Sequence, residues 1–242
     1  MFQRAKCFAM LFLASALAAA GQEDSLQLSR ILNAYSNLYE ARPGRSPIES
    51  LHFEGRQSQN GREYYLNIYK KRPDLLRYQL SSGSSSVVVG FDGETAWKQT
   101  RSLEADKVEL LDGAAAELFR SEVRFESPLM DGLFDPRVSI RLVGAEEVEE
   151  EMADVLEVEG TESSRVRYFL SKRTAMLLKK ELLGEDGEVL IEIYYRDYRD
   201  VEGFPFAFEV ENQRDGETLA QTRFDRIRVN TGTLSFYFEV PD

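Results

Sequence analysis

The feature that most constrains this chain is an alternation of apolar and polar residues with a period of two, repeated along most of its length. Tyr64-Leu66-Ile68, Leu76-Tyr78-Leu80, Val138-Ile140-Leu142, Leu156-Val158, Val166-Tyr168-Leu170, Val189-Ile191-Ile193-Tyr195 and Phe206-Phe208-Val210 each alternate with more polar neighbours. Successive side chains of a strand point to opposite faces, so this pattern specifies half-buried antiparallel strands, apolar on one side and wet on the other. Asn60-Gly61, Asp92-Gly93, Asp186-Gly187 and Asp215-Gly216 lie between the runs. These dipeptides accept the positive φ angles of tight hairpin turns, and a meander of consecutive hairpins follows.

Two stretches depart from that period. From Glu23 to Glu40 the apolar residues Leu28, Ile31, Leu32, Tyr35 and Leu38 recur at helical spacing, which predicts one amphipathic helix. Between Val108 and Asp135, Ala114-Ala115-Ala116, Leu118, Phe119, Leu129, Met130, Leu133 and Phe134 predict one or two short helices inserted into the strand series. The expected fold is mainly β, a strongly curved, unclosed antiparallel sheet of about ten or eleven strands, with an N-terminal helix and a central helical insertion. Helices on the concave side of an unclosed sheet leave an apolar cavity, a common geometry for a small-molecule or lipid site.

The N-terminus reads as an export signal: Arg4 and Lys6, an apolar run from Phe8 to Leu17, then Ala18-Ala19-Ala20. The apolar run is too short to cross a bilayer core, and no later segment is long enough in a helix. Residues 1–20 are therefore expected to be a cleavable signal peptide and 21–242 one domain, not membrane-spanning. The single cysteine, Cys7, precedes the apolar run, so a lipid-anchor cysteine is not expected and the processed chain would hold no thiol. Removing Arg4 and Lys6 takes Lys plus Arg from 30 to 28 against 42 Asp plus Glu, and the net charge from -12 to -14. That balance argues against nucleic acid, whose binding rewards clustered cations, and against anionic lipid headgroups.

Catalytic and metal chemistry find little purchase. The only histidine, His52, lies in the strand-like run Leu51-His52-Phe53-Glu54 and reads as a half-exposed strand residue, with no nucleophile-elbow motif elsewhere. A multi-histidine zinc site is excluded. The densest charge run, Glu146, Glu147, Glu149, Glu150 and Glu151, lacks the graded spacing of a calcium loop and reads as a solvated hairpin. Lys70-Lys71-Arg72, before Pro73, reads as a solvated strand end, and Trp97 as either core or the rim of an apolar pocket. No cofactor, metal or catalytic residue is expected.

Several segments, in order, resemble the family of the periplasmic lipoprotein carrier and its outer-membrane lipoprotein-sorting relatives. Lys71-Arg72-Pro73-Asp74-Leu75-Leu76-Arg77-Tyr78 resembles that family's basic-Arg-Pro strand start, and Val88 to Trp97 its Asp-Gly-x-x-x-Trp hairpin. Glu126-Ser127-Pro128-Leu129 is similar to the start of its lid helix, and Val229-Asn230-Thr231-Gly232 with Phe236 to Pro241 to its closing strand. Asp197 to Pro205 looks like the wider sorting-protein branch. The resemblance implies an unclosed β-barrel with a helical lid over an apolar cavity that shields acyl chains in the periplasm, without an enzymatic activity. It would place Tyr64, Leu66, Ile68, Leu76, Tyr78, Val88 and Trp97 on the sheet side of the cavity and Phe119, Leu129 and Phe134 on the lid. The implied partners are an acylated lipoprotein or lipid, with inner-membrane donor and outer-membrane acceptor proteins, for a chain acting as a monomer. The same half-barrel serves envelope-stress sensors or adaptors, a second function to be weighed. Those regulators carry a further domain, whereas Asp242 directly follows the last expected strand.

Overall fold

The computed structural model describes residues 25–40, 43–113, 116, 123–125, 127–131, 138–159 and 165–241. The export signal and the lid residues Phe119 and Phe134 lie outside them. Thirteen strands form a single sheet: β1 (Ser50–Gln59), β2 (Arg62–Lys71), β3 (Leu75–Ser82), β4 (Ser85–Phe91), β5 (Ala96–Arg101), β6 (Asp106–Leu110), β7 (Ser139–Val148), β8 (Glu151–Glu159), β9 (Arg165–Ser171), β10 (Leu177–Leu183), β11 (Val189–Val201), β12 (Phe204–Arg214) and β13 (Glu217–Val229). Helix α1 covers residues 25–39, α2 is Pro128–Asp131, and a 3-10 turn occupies Ser235–Phe238.

The strand order is β6-β5-β4-β3-β2-β1-β13-β12-β11-β10-β9-β8-β7, every neighbouring pair antiparallel. The sheet is thus two hairpin meanders joined where β1 pairs with β13, and its two free edges, β6 and β7, are consecutive in the sequence. The segment between them passes from one half of the sheet to the other: its described residues Ala116 and Val123 pack with Leu76 and Phe91, and Leu129 packs with Leu156 and Tyr168. All four Asx-Gly dipeptides sit in hairpin turns, with Asn60 and Gly61 at φ of 52° and 70° and Asp215 and Gly216 at 52° and 78°.

Thirteen strands exceed the ten or eleven expected. β4 escapes the alternation test because Val87-Val88-Val89 is a continuous apolar run that marks no phase, and β5 carries only Ala96 and Trp97 as apolar residues. The expected closing strand is also different: β13 ends at Val229, and residues 230–241 form an extended tail with the 3-10 turn.

The core divides by face and by half. On the concave face, Leu32 and Tyr35 of α1 and Leu129 of α2 pack on Leu156, Val158, Tyr168 and Leu170, joined by the rest of the α1 stripe, Leu28, Ile31 and Leu38. A second cluster joins Leu76, Phe91 and Ala96 to Ala116 and Val123 of the crossing segment. A third, Ile48, Leu51, Phe204 and Val229, lies where the two meanders meet. On the convex face, Val148, Ala153, Val155 and Phe169 are the buried core of β7 to β9.

The rest of that convex half is a ladder of ions. Glu157 pairs with Arg141 (2.7 Å) and Arg167 (3.1 Å), Arg167 approaches Glu181 (3.6 Å), and Lys179 joins Glu181 (2.7 Å) to Glu192 (3.1 Å). Burial pushes the Glu157 carboxyl up, but the two guanidinium groups outweigh it and hold it below the usual carboxylate range. The other convex half is covered by the tail. Trp97 is fully buried there, its indole Nε1 donating to the Phe238 carbonyl (2.9 Å), with Arg77 stacked between Trp97 and Tyr237.

Candidate functional site

Directly paired residues of antiparallel strands project to the same side, so the register sorts the expected cavity residues. Phe53 pairs with Ile68, Ile68 with Tyr78, Leu66 with Leu80, and Gln57 with Tyr64. Tyr64, Leu66, Ile68, Leu76 and Tyr78 therefore share the concave face of the sheet. Val88 and Trp97 do not. Val88 pairs with Gln79 and with Gln99, and Trp97 with Gly90, all on the convex face; the concave residues of the valine run are Val87 and Val89. The correction has a simple cause. Val87-Val88-Val89 contains no polar residue to mark its phase, and the tail that buries Trp97 comes from the far end of the chain.

Leu129 is brought to the concave side, but as a fully buried plug between α1 and β8–β9, away from Leu76. It belongs to the packed interior of the cover.

Between the clusters the concave face is only partly covered. Tyr64, Leu80 and Val89 on β2 to β4, and Phe224, Val210, Ile193 and Tyr195 on β13 to β11, are half-buried, and Val87 is exposed. Phe53 and Phe206 close the floor towards the covered end, with Phe53 meeting Phe224 at 5.2 Å and Phe206 at 6.0 Å between ring centroids. The result is an apolar trough floored by β11, β12, β13, β1, β2, β3 and β4 and walled on one side by α1. It opens at the end that carries the β1–β2, β3–β4 and β12–β13 turns.

The cover is fastened at the opposite end. Arg45 donates to the carbonyls of Leu38 (3.2 Å), Asn37 (3.3 Å) and Glu40, satisfying the carbonyls at the end of α1 that have no helical partner. It also donates to the carbonyl of Gly203 (2.5 Å) in the β11–β12 turn and lies over the Phe204 ring. The Lys70-Lys71-Arg72 run, expected as a solvated strand end, is a second fastening. Lys70 Nζ donates to the Arg124 carbonyl (2.8 Å), Lys71 Nζ to Ser235 Oγ (3.0 Å) and Arg72 Nε to the Ile48 carbonyl (2.7 Å), while Asp74 Oδ1 accepts from the Phe125 amide (2.7 Å). One short basic segment thereby ties the crossing segment, the tail and the approach to β1 onto the sheet.

His52 is buried rather than half-exposed. It stacks on Tyr69 (3.9 Å), its Nδ1 accepts from Arg228 Nη2 (2.9 Å), and its Nε2 meets Asn67 Oδ1 at 3.2 Å. These contacts suit a neutral ring protonated at Nε2, and burial lowers its pKa. It lies on the convex face with Tyr69, remote from the trough. The glutamate run forms the expected hairpin: Glu149 and Glu150 are its turn, with positive φ, Glu149 pairs with Arg196 and Glu151 with Arg173. Among the described residues no group of three or more His, Cys, Asp or Glu could hold a metal ion. No helix of the described residues is long and apolar enough to cross a membrane.

One member of a polar pair in the trough, Gln57, had no signal in the sequence, while its partner Tyr78 did. Tyr78 Oη donates to Gln57 Oε1 at 2.5 Å, and burial pushes the Tyr78 phenol up to about 12, so it stays a neutral donor. Gln57 was not singled out because glutamine in the run Arg56-Gln57-Ser58-Gln59 reads as a solvated strand end.

No protein-family model matches the chain, and no curated protein matches it. Solved structures do. An outer membrane lipoprotein-sorting protein domain from Vibrio parahaemolyticus aligns with a TM-score of 0.61 at 10% identity, covering 88% of this chain and 97% of that one. A DUF1329 family protein from Desulfovibrio piger aligns at 0.59 and 13% identity, with 88% and 97% coverage. A LolA superfamily protein from Nitrosomonas europaea aligns at 0.56 and 12% identity, with 87% and 96% coverage. The chain has their fold, the unclosed LolA-like half-barrel, over most of its length.

Proposed function

We propose that this protein is a periplasmic carrier that holds the acyl chains of a lipoprotein or lipid in the concave trough and delivers them towards the outer membrane. The observation that carries the reading is the row of half-buried apolar residues left between two packed covers. An apolar surface of this kind in a water-filled compartment is stabilised by an occupant. Burying ten methylenes contributes about 8 kcal/mol, comparable to a micromolar affinity, which is firm enough for transit and loose enough for release. A cover fastened at one end by Arg45 and the Lys70 to Arg72 run, with the trough open at the other, allows entry and exit without unfolding the sheet. The function described for the Vibrio parahaemolyticus neighbour, lipoprotein sorting, agrees with this reading, as does the export signal read from the sequence. Donor and acceptor proteins at the two membranes would load and unload it.

The test is to purify the processed protein from its native periplasm and identify bound lipids or acylated proteins by mass spectrometry. The expected result is a bound acyl species. Protein that emerges empty and takes up no added lipid contradicts the proposal.

A further inference from the structure

Among the described residues of the trough floor, Gln57 is the one buried polar side chain. Gln57 of β1 and Tyr78 of β3 are joined by a hydrogen bond of 2.5 Å although they lie on strands separated by β2. In register Gln57 faces Tyr64 and Tyr78 faces Ile68, so their bond crosses β2 at the position between them, Leu66, which is only 2% exposed. On the other side, Gln57 pairs with Thr222 of β13, which adds a hydroxyl to the same face. A glutamine amide offers two N–H donors, and the bond to Tyr78 uses only its oxygen. Among the described residues no partner is present for those donors, and the only sealed side-chain polar atoms left unpaired are Arg77 Nε and Asp154 Oδ1. The Gln57 amide nitrogen is therefore open to the trough.

Resting on the carrier reading, we infer that Gln57, held in place by Tyr78, is a specificity-determining donor for the carbonyl of an acyl ester or amide. The cargo would then be a carbonyl-linked amphiphile rather than any hydrocarbon, set at a fixed depth with its chains towards the covered end and its polar part at the mouth. A hydrocarbon chain alone contributes affinity without register, because apolar contact is non-directional. A single hydrogen bond in an apolar site supplies the register, since an analogue that lacks the acceptor leaves the donor unpaired. Tyr78 acts as a positioning residue: it fixes which side of the amide faces the trough, and its raised pKa keeps it a donor throughout the physiological range.

The experiment compares three probes of equal chain length by displacement of an anilinonaphthalene dye: a 1-monoacylglycerol, an N-acylglycine and a 1-O-alkylglycerol ether, which lacks the carbonyl. Each is measured on the wild-type chain, on Gln57→Met and on Tyr78→Phe, with circular dichroism to confirm that the variants are folded. The expected result is that the wild type favours the carbonyl probes over the ether by about fivefold, the equivalent of one hydrogen bond. The ester and amide arms identify which linkage is preferred. Gln57→Met brings the ratio to unity with ether binding retained, and Tyr78→Phe reduces it. A wild-type ratio of one, or a ratio unchanged in Gln57→Met, overturns the inference while leaving the carrier reading intact. Failure of all three probes to bind overturns both.

Discussion

Gly90→Ala tests the assignment of Trp97 to the convex face through one added methyl group. A Cβ built on Gly90 would stand 2.2 Å from both Cε2 and Cζ2 of Trp97, where ordinary contact begins at 3.4 Å. The indole must therefore withdraw by more than 1 Å, taken as the difference of those two distances. It has no free space, being fully buried, and moving it breaks the bond from Nε1 to the Phe238 carbonyl. Overpacking of this kind costs about 1–3 kcal/mol and the lost buried hydrogen bond about 1 kcal/mol more, so the destabilisation should total about 2–4 kcal/mol. The assay is urea unfolding followed by circular dichroism, with emission as a local readout, because Trp97 is the only tryptophan in the chain. The emission of Gly90→Ala should shift to the red as the tail loosens, while acyl-chain binding in the trough persists. A change in stability below about 0.5 kcal/mol with unshifted emission would refute the packing of Trp97 against Gly90 and the tail.

Leu80→Asp and Val89→Asp place a charge in the trough at half-buried positions, and should weaken acyl-chain binding more than tenfold in dye displacement with little loss of stability; the convex neighbour Gln79→Asp should leave binding unchanged. Arg45→Ala removes donors to two α1 carbonyls and to those of Glu40 and Gly203, so amide exchange in α1 should accelerate about tenfold, the equivalent of about 1–2 kcal/mol locally, with exchange in β1 and β13 unaffected. His52 has a lowered folded pKa, so the unfolded chain binds its proton first as pH falls; stability should be complete above about pH 6.5 and decline below it, and denaturant midpoints in His52→Gln should lack that step. Glu157, held below the usual range, contributes stability above about pH 4.3 that is lost as pH falls through its folded value, a second and lower step that Glu157→Gln removes.

The strands and turns were legible because one face is wet: each alternating run from Tyr64 to Val210 names the concave phase, and each Asx-Gly pair sits in a hairpin turn. Helix α1 was legible for the same reason, its stripe Leu28, Ile31, Leu32, Tyr35 and Leu38 all meeting one cluster. What the sequence hid depends on contacts between distant segments. Val88 lies on the convex face within an apolar run that carries no phase, and Trp97 is buried there by residues near the C-terminus, a cover that no local pattern announces. Lys70 to Arg72 looks like a solvated run until Ile48, Arg124 and Ser235 are brought to it. His52 is buried by Tyr69 and Arg228, one on each neighbouring strand. Gln57 becomes part of the site only through Tyr78, two strands away.

The most direct test of the central claim is photo-crosslinking with a long-chain acyl lipid that carries a diazirine on its chain, followed by peptide mapping. With fragmentation that resolves the labelled residue, the trough predicts label on Tyr64, Leu80, Val210 and Phe224, and none on Tyr65, the exposed convex neighbour of Tyr64. Label spread over the convex face, or no label at concentrations that saturate dye displacement, would contradict it.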